Sequence, residues 1–143
     1  MIKLVMIFFT FFTLLNADSA KEFVGKIKKI KGVAYIDRAD KRVDIKLGDS
    51  IYQNDIITTE KGVVGVTLRD NTLISLGTRS KVSVNDFIFN PEKKDLSLRA
   101  EVLKGTASFL TGTIAKLNKD AMKIKTKTAT IGIRGTHFIV EVD

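Results

Sequence analysis

Val64-Gly65-Val66-Thr67-Leu68-Arg69-Asp70-Asn71-Thr72-Leu73-Ile74-Ser75-Leu76 decides the fold class. Apolar residues at 64, 66 and 68 alternate with smaller or polar ones, the period of a strand with one buried face. Asp70-Asn71 then supplies a tight turn, because Asn accepts positive φ more readily than other residues with a side chain. The apolar text resumes at once over Leu73 to Leu76, so the stretch predicts a β-hairpin.

The same grammar extends in both directions. Upstream, Phe23 to Ile36 is broken by Gly25 and Gly32 and is rich in β-branched residues, which predicts two strands with a bend. Asp37 to Lys41 is a polar turn, and Val43, Ile45 and Leu47 belong to a strand. Gly48-Asp49 and Gln53-Asn54-Asp55 are further turns, and Glu60-Lys61-Gly62 turns the chain into the quoted strand. Downstream, a Gly77-Thr78-Arg79 turn precedes Val82 to Val84, and the single Pro, Pro91, closes the strand over Phe87 to Phe89.

Leu96, Leu98, Ala100 and Val102 alternate with polar positions, and Gly105 is read as a turn before Ala107 to Leu110. Ile114, Leu117 and Ala121 have helical spacing, so one short helix is expected near 113–121. Met122, Ile124, Ile131, Ile133, Phe138, Val140 and Val142 complete the strands, with bends at Gly132 and Gly135. Short strands with turns between them predict an all-β domain, a two-sheet sandwich or roll, with a solenoid-like stack as the variant. No linker divides the body, so residues 21–143 are expected to be one domain.

Composition narrows the function. The chain has 143 residues, room for one core. It has no Cys, which excludes disulfides, thiolate metal sites and cysteine nucleophiles. The formal net charge of +8 favours anionic partners without identifying one. Lys3, the apolar run Leu4 to Leu15 and the small residues after it match a secretory signal peptide. Cleavage is expected after Ala17, with Ala20 as the alternative, leaving no stable membrane span. The run is short against the roughly 20 apolar residues of a spanning helix. An uncleaved anchor also places the body outside the cytoplasm, so the expected location is the periplasm or cell envelope.

Two stretches resemble the FecR domain. The first runs through Gly48-Asp49, Asn54 to Thr59 and Val66 to Thr72, where the family reads "GD…D-I-x-T…L-x-D-G-T". The second is Lys123 to Phe138, containing Thr128-Ala129-Thr130-Ile131-Gly132-Ile133-Arg134-Gly135-Thr136, where the family ends in "A-T-I-G-I-R-G-T-x-F". The likeness spans about Phe23 to the C-terminus. Asn71 replaces the usual Gly and Lys127 the usual Pro, and both are compatible with the fold. The resemblance implies a non-enzymatic envelope domain that docks other proteins. The cytoplasmic anti-sigma segment of the siderophore regulators has no counterpart in this sequence, which argues against direct sigma-factor control.

The motif residues are read as structural: Gly48, Asp49, Asp55, Asp70, Asn71, Gly132, Arg134, Gly135 and Thr136. Arg134, between glycines, is expected to form an internal ion pair with Asp70, Asp49 or Asp55, although an arginine there could also grip a carboxylate or phosphate. The three aspartates fit turn capping better than a metal site, since no Asp-x-Asp-x-Asp-Gly loop is present. His137 is the single His and has no partner for zinc. No Gly-x-Ser-x-Gly elbow or phosphate loop appears. Neither a catalytic centre nor a cofactor is expected.

Lys123, Lys125 and Lys127 alternate with Met122, Ile124 and Thr126, which predicts a strand with one lysine-lined side. Aromatics for base stacking are missing, and export argues against nucleic acid. Solvated edge protection is the plain alternative. The face is the candidate interaction surface for another envelope protein. The rival partner is an anionic envelope polymer, glycan or small ligand.

Overall fold

The computed structural model describes residues 22–133 and 135–143. The expected signal peptide and Arg134 lie outside the described residues. The strands are β1 (Gly25–Arg38), β2 (Lys41–Asp44), β3 (Ser50–Ile51), β4 (Ile56–Leu68), β5 (Leu73–Leu76), β6 (Lys81–Asn90), β7 (Asp95–Leu110), β8 (Met122–Lys125), β9 (Thr130–Gly132) and β10 (His137–Val142). One short helix, α1 (Thr113–Leu117), precedes a 3-10 turn at Lys119–Ala121. The protein is therefore all-β, and the one α-helix among the described residues lies inside the expected segment. Among the described residues no helix is long and apolar enough to cross a membrane.

All ten described strands join one hydrogen-bonded sheet. Its body is an antiparallel meander: β1 pairs with β4, β4 with both β5 and β6, and both of those with β7. β5 and β6 thus lie end to end between β4 and β7. Beyond β7, β8 pairs in parallel and β10 antiparallel, and β9 adds to β8. A parallel pair requires a crossover, and α1 with its following turn carries the chain back along β7 to reach Leu98.

Two of the expected turns, at Gly62 and Gly105, are bends inside long strands, as is the expected bend at Gly32. Gly32, Gly62 and Gly105 have φ of +87°, +88° and +77°, yet β1, β4 and β7 run straight through them. In β4 and β7 the bend resets the side-chain alternation. In β4 Ile57 is buried before Gly62, and Val64, Val66 and Leu68 after it. In β7 the buried set changes from Leu98, Ala100 and Val102 to Ala107 and Phe109. The buried residues on both sides of the bends form one apolar cluster. The bent meander is thus a roll around a single core.

The break between β5 and β6 belongs to the same line of bends. There, hydroxyls take over from the interrupted ladder. The buried Thr59 hydroxyl donates to the Gly77 carbonyl and accepts from the Ser80 N–H at 3.0 Å. The buried Ser80 hydroxyl accepts from the Thr106 N–H at 2.9 Å. Backbone groups left without a strand partner are satisfied without water, as burial requires.

The expected helical face is only partly buried. Ile114 is enclosed, whereas Leu117 is exposed. The reason is length: the helix stops at Leu117, and the Asn118 side chain accepts from the Asp120 N–H to start the 3-10 turn.

Candidate functional site

In β8, Met122 and Ile124 are buried, while Lys123 and Lys125 are exposed. Apolar burial of one side fixes the orientation of the other, so the lysines are held outward by the core beneath them. The parallel register sets Lys123 beside Arg99 and Lys125 beside Glu101 of β7. Arg99, Lys123 and Lys125 line a groove of about 460 Å³ with Asn85, Ala100 and Thr130. Glu101 accepts from the Asn85 side-chain amide at 3.0 Å. Among the described residues, the salt bridges are Arg38–Asp55 and Arg69–Glu22. The three cations of the groove take part in neither.

Lys127 departs from the strand reading. β8 ends at Lys125, because Thr126 closes a turn to Ala129. The Thr126 N–H donates to the Ala129 carbonyl at 2.8 Å, and the Ala129 N–H donates to the Thr126 hydroxyl at 3.2 Å. Lys127 is exposed on that turn and does not line the groove.

The three motif aspartates serve three separate turns. The Asp49 carboxylate accepts from the Lys46 N–H at 2.8 Å. Asp55, buried, accepts from the Tyr52 N–H at 2.8 Å and from two nitrogens of Arg38, at 2.9 and 2.7 Å. That bidentate bond to Asp55 raises the Arg38 pKa, with burial opposing it. Asp70 is fully buried and accepts from the Thr72 N–H at 3.1 Å, the Thr72 hydroxyl at 2.9 Å and the Ile114 N–H at 3.1 Å. Its backbone carbonyl accepts from the Thr113 N–H. It therefore satisfies the first turn of α1 from a hairpin far upstream in the sequence. Among the described residues no group of His, Asp or Glu is arranged to hold a metal ion.

The remaining motif residues shape the chain. Gly48 and Asn71 adopt positive φ in their turns. Gly132 ends β9, and Gly135 has φ of +87°. The Thr136 carbonyl accepts from the Thr111 N–H at 2.8 Å, tying the C-terminal segment to the end of β7. His137 is exposed, and its neighbour Phe138 stacks on Phe109 with ring centroids 5.2 Å apart.

Sequence reasoning missed Arg99 and Asn85 as groove residues, since neither a parallel pairing nor its register has a local signal. It also missed Arg38 as the partner of Asp55. The family model described as FecR protein matches residues 54–143. The match begins after β3, but β1 pairs with β4 along its length, so the N-terminal strands belong to the same sheet. No curated protein and no solved structure matches the chain.

Proposed function

Because the chain belongs to the FecR family, a signalling-related family of the cell envelope, we propose that it is a non-enzymatic, exported protein-interaction module. The partner is an envelope protein with an acidic face, and the module meets it through the β7–β8 groove.

The observation that carries this reading is the gathering of Arg99, Lys123 and Lys125 around one groove, outside the described salt bridges. A strand backed by core residues fixes the backbone that carries these cations and the side from which they project. Association then needs no backbone ordering, and its cost is the rotamer freedom of the long side chains. Their field raises the encounter rate with an acidic surface and selects against a basic one.

A pulldown from envelope extract tests the proposal, with wild-type chain and a Lys123→Glu/Lys125→Glu variant as baits. A stoichiometric protein retained by the wild type and lost by the variant supports it. Retention of cell-wall or polysaccharide material alone replaces the protein partner with an anionic polymer.

A further inference from the structure

A second cationic site lies away from β8, where Glu22, Val24, Gln53, Asn54, Arg69 and Phe87 line a cavity of about 440 Å³. Arg69 follows the last residue of β4, and its backbone N–H donates to the Val24 carbonyl, which fixes the base of the side chain. The guanidinium carbon lies 5.1 Å from the ring centroid of Phe87 and 5.9 Å from that of Phe23. Contacts of this kind hold a guanidinium by its faces and leave its rim of N–H donors free for hydrogen bonds.

That rim is barely used. Among the described residues, Nε is buried without a hydrogen-bond partner. Nη2 has one carboxylate neighbour, Glu22, at 3.4 Å. The Glu22 side chain is 81% exposed against 28% for Arg69, so the carboxylate approaches from solvent onto an already seated cation. Exposed pairs of this kind contribute little and exchange readily. Lys26 adds a second positive charge, its Nζ 5.2 Å from the ring centroid of Phe23. Gln53 and Asn54, residues with neutral amide donors, complete the lining.

We propose that the Arg69 cavity is a carboxylate-binding site, in which Glu22 is the internal occupant that an external carboxylate displaces. The ligand is a carboxylic acid, supplied either by a small molecule or by an acidic residue of a protein. Recognition is by charge-assisted hydrogen bonds from the guanidinium edge that Nη2 presents to Glu22, with Gln53 and Asn54 at the wall. The site is independent of the β8 lysines and stands whether or not the β7–β8 groove binds a partner.

Titration of the isotope-labelled full chain with citrate, and separately with a tetraglutamate peptide, tests this by following the Arg69 Nε–Hε signal. A saturable shift is expected with at least one probe. Stronger binding of citrate assigns the site to small acids, and stronger binding of the peptide to a protein side chain. Glu22→Gln removes the competitor and is expected to tighten binding about two- to five-fold, the factor an exposed pair supplies. Arg69→Lys is expected to weaken binding by about ten-fold or more, because a lysine cannot present the planar fork. An Arg69 signal unmoved by both probes, shifts confined to Lys123 and Lys125, or a Glu22→Gln variant no tighter than wild type overturns the proposal. The Glu22 arm decides the matter even if Arg69→Lys fails to fold.

Discussion

Gly32 of β1 stands directly opposite Gly62 of β4, and the two share almost the same left-handed backbone, with φ of +87° and +88°. A Cβ on Gly32 would collide with the Lys61 carbonyl, and one on Gly62 with the Lys31 carbonyl. The pair is a reciprocal fit of backbone against backbone at the line where the meander bends. Neither a turn nor a loop is needed there, since the two strands bend together and stay paired on both sides.

Gly32→Ala and Gly62→Ala are therefore each expected to lower stability by about 3 kcal/mol, combining positive-φ strain with an overpacked contact that backbone cannot relieve. Gly48 separates the two causes, having φ of +86° with nothing within 4 Å of a built Cβ. Gly48→Ala should cost about 1 kcal/mol. Urea unfolding midpoints of the three variants give the comparison. Equal losses at all three positions would remove the close approach from the explanation.

Arg38→Ala is expected to cost about 2–3 kcal/mol, since it strands the Asp55 carboxylate, 4% exposed, with only the Tyr52 N–H described as a remaining donor. The double variant with Asp55→Ala should lose less than the sum of the single losses, because the uncompensated charge is gone. The pH behaviour follows from the raised Arg38 pKa. A raised folded pKa keeps its contribution below the unfolded value and loses it only as pH climbs through the folded one. For an arginine that window is strongly alkaline. Between about pH 6 and about pH 9, well below that window, the Arg38→Ala loss should stay constant. A loss that varied across this range would point to another titrating group.

Asp70→Asn is expected to destabilise by about 2–3 kcal/mol and to loosen α1 before the rest of the fold. One Asp70 oxygen accepts from both the Thr72 hydroxyl and the Ile114 N–H. The other accepts from the Thr72 N–H. An amide has only one oxygen to offer, so its NH2 must face a donor on one side or the other. Hydrogen exchange locates the effect: faster exchange at Ile114 with slow exchange retained in β4 is the expected pattern. Uniform acceleration across the sheet would show that Asp70 supports the whole roll rather than the helix junction.

The two kinds of information in this sequence were not equally legible. Local signals worked where the cause is local. The alternation of Val64 to Leu68 gave a strand, and Asn71 adopts the positive φ its turn position requires. Helical spacing near Ile114 marked α1. Gly62 and Gly105 carried the right conformational message but not its use, whereas the bend at Gly32 was legible. A glycine that ends a strand and one that bends it read alike until the opposite strand is known. Long-range polar pairs left no trace at all. Asp55 finds Arg38, and Asp70 finds the start of α1, across sequence separations that spacing rules do not reach. The lysines of β8 fall between these cases: alternation placed Lys123 and Lys125 outward, whereas the Thr126 turn moved Lys127 off the strand.

The proposed interaction face leads to a kinetic prediction. Met122 and Ile124 carry the burial of β8, and Lys123 and Lys125 project away from it, with Lys127 exposed on the next turn. Replacing all three lysines by Glu leaves the buried set untouched, and the circular dichroism spectrum should be unchanged. The Lys125→Glu change sets one acidic residue beside another, Glu101. Their repulsion is worth no more than about 1 kcal/mol at an exposed position. Against an acidic partner the variant reverses the field at the groove, so the association rate should fall by about ten-fold or more at low salt, with a smaller change in dissociation. The difference should close as salt rises, since the Debye length shrinks from about 10 Å at 0.1 M to about 3 Å at 1 M. Binding kinetics at these two ionic strengths decide between the readings. If the folded variant associates as fast as wild type at low salt, the lysines only keep a strand solvated and unpaired, and the contact surface lies elsewhere.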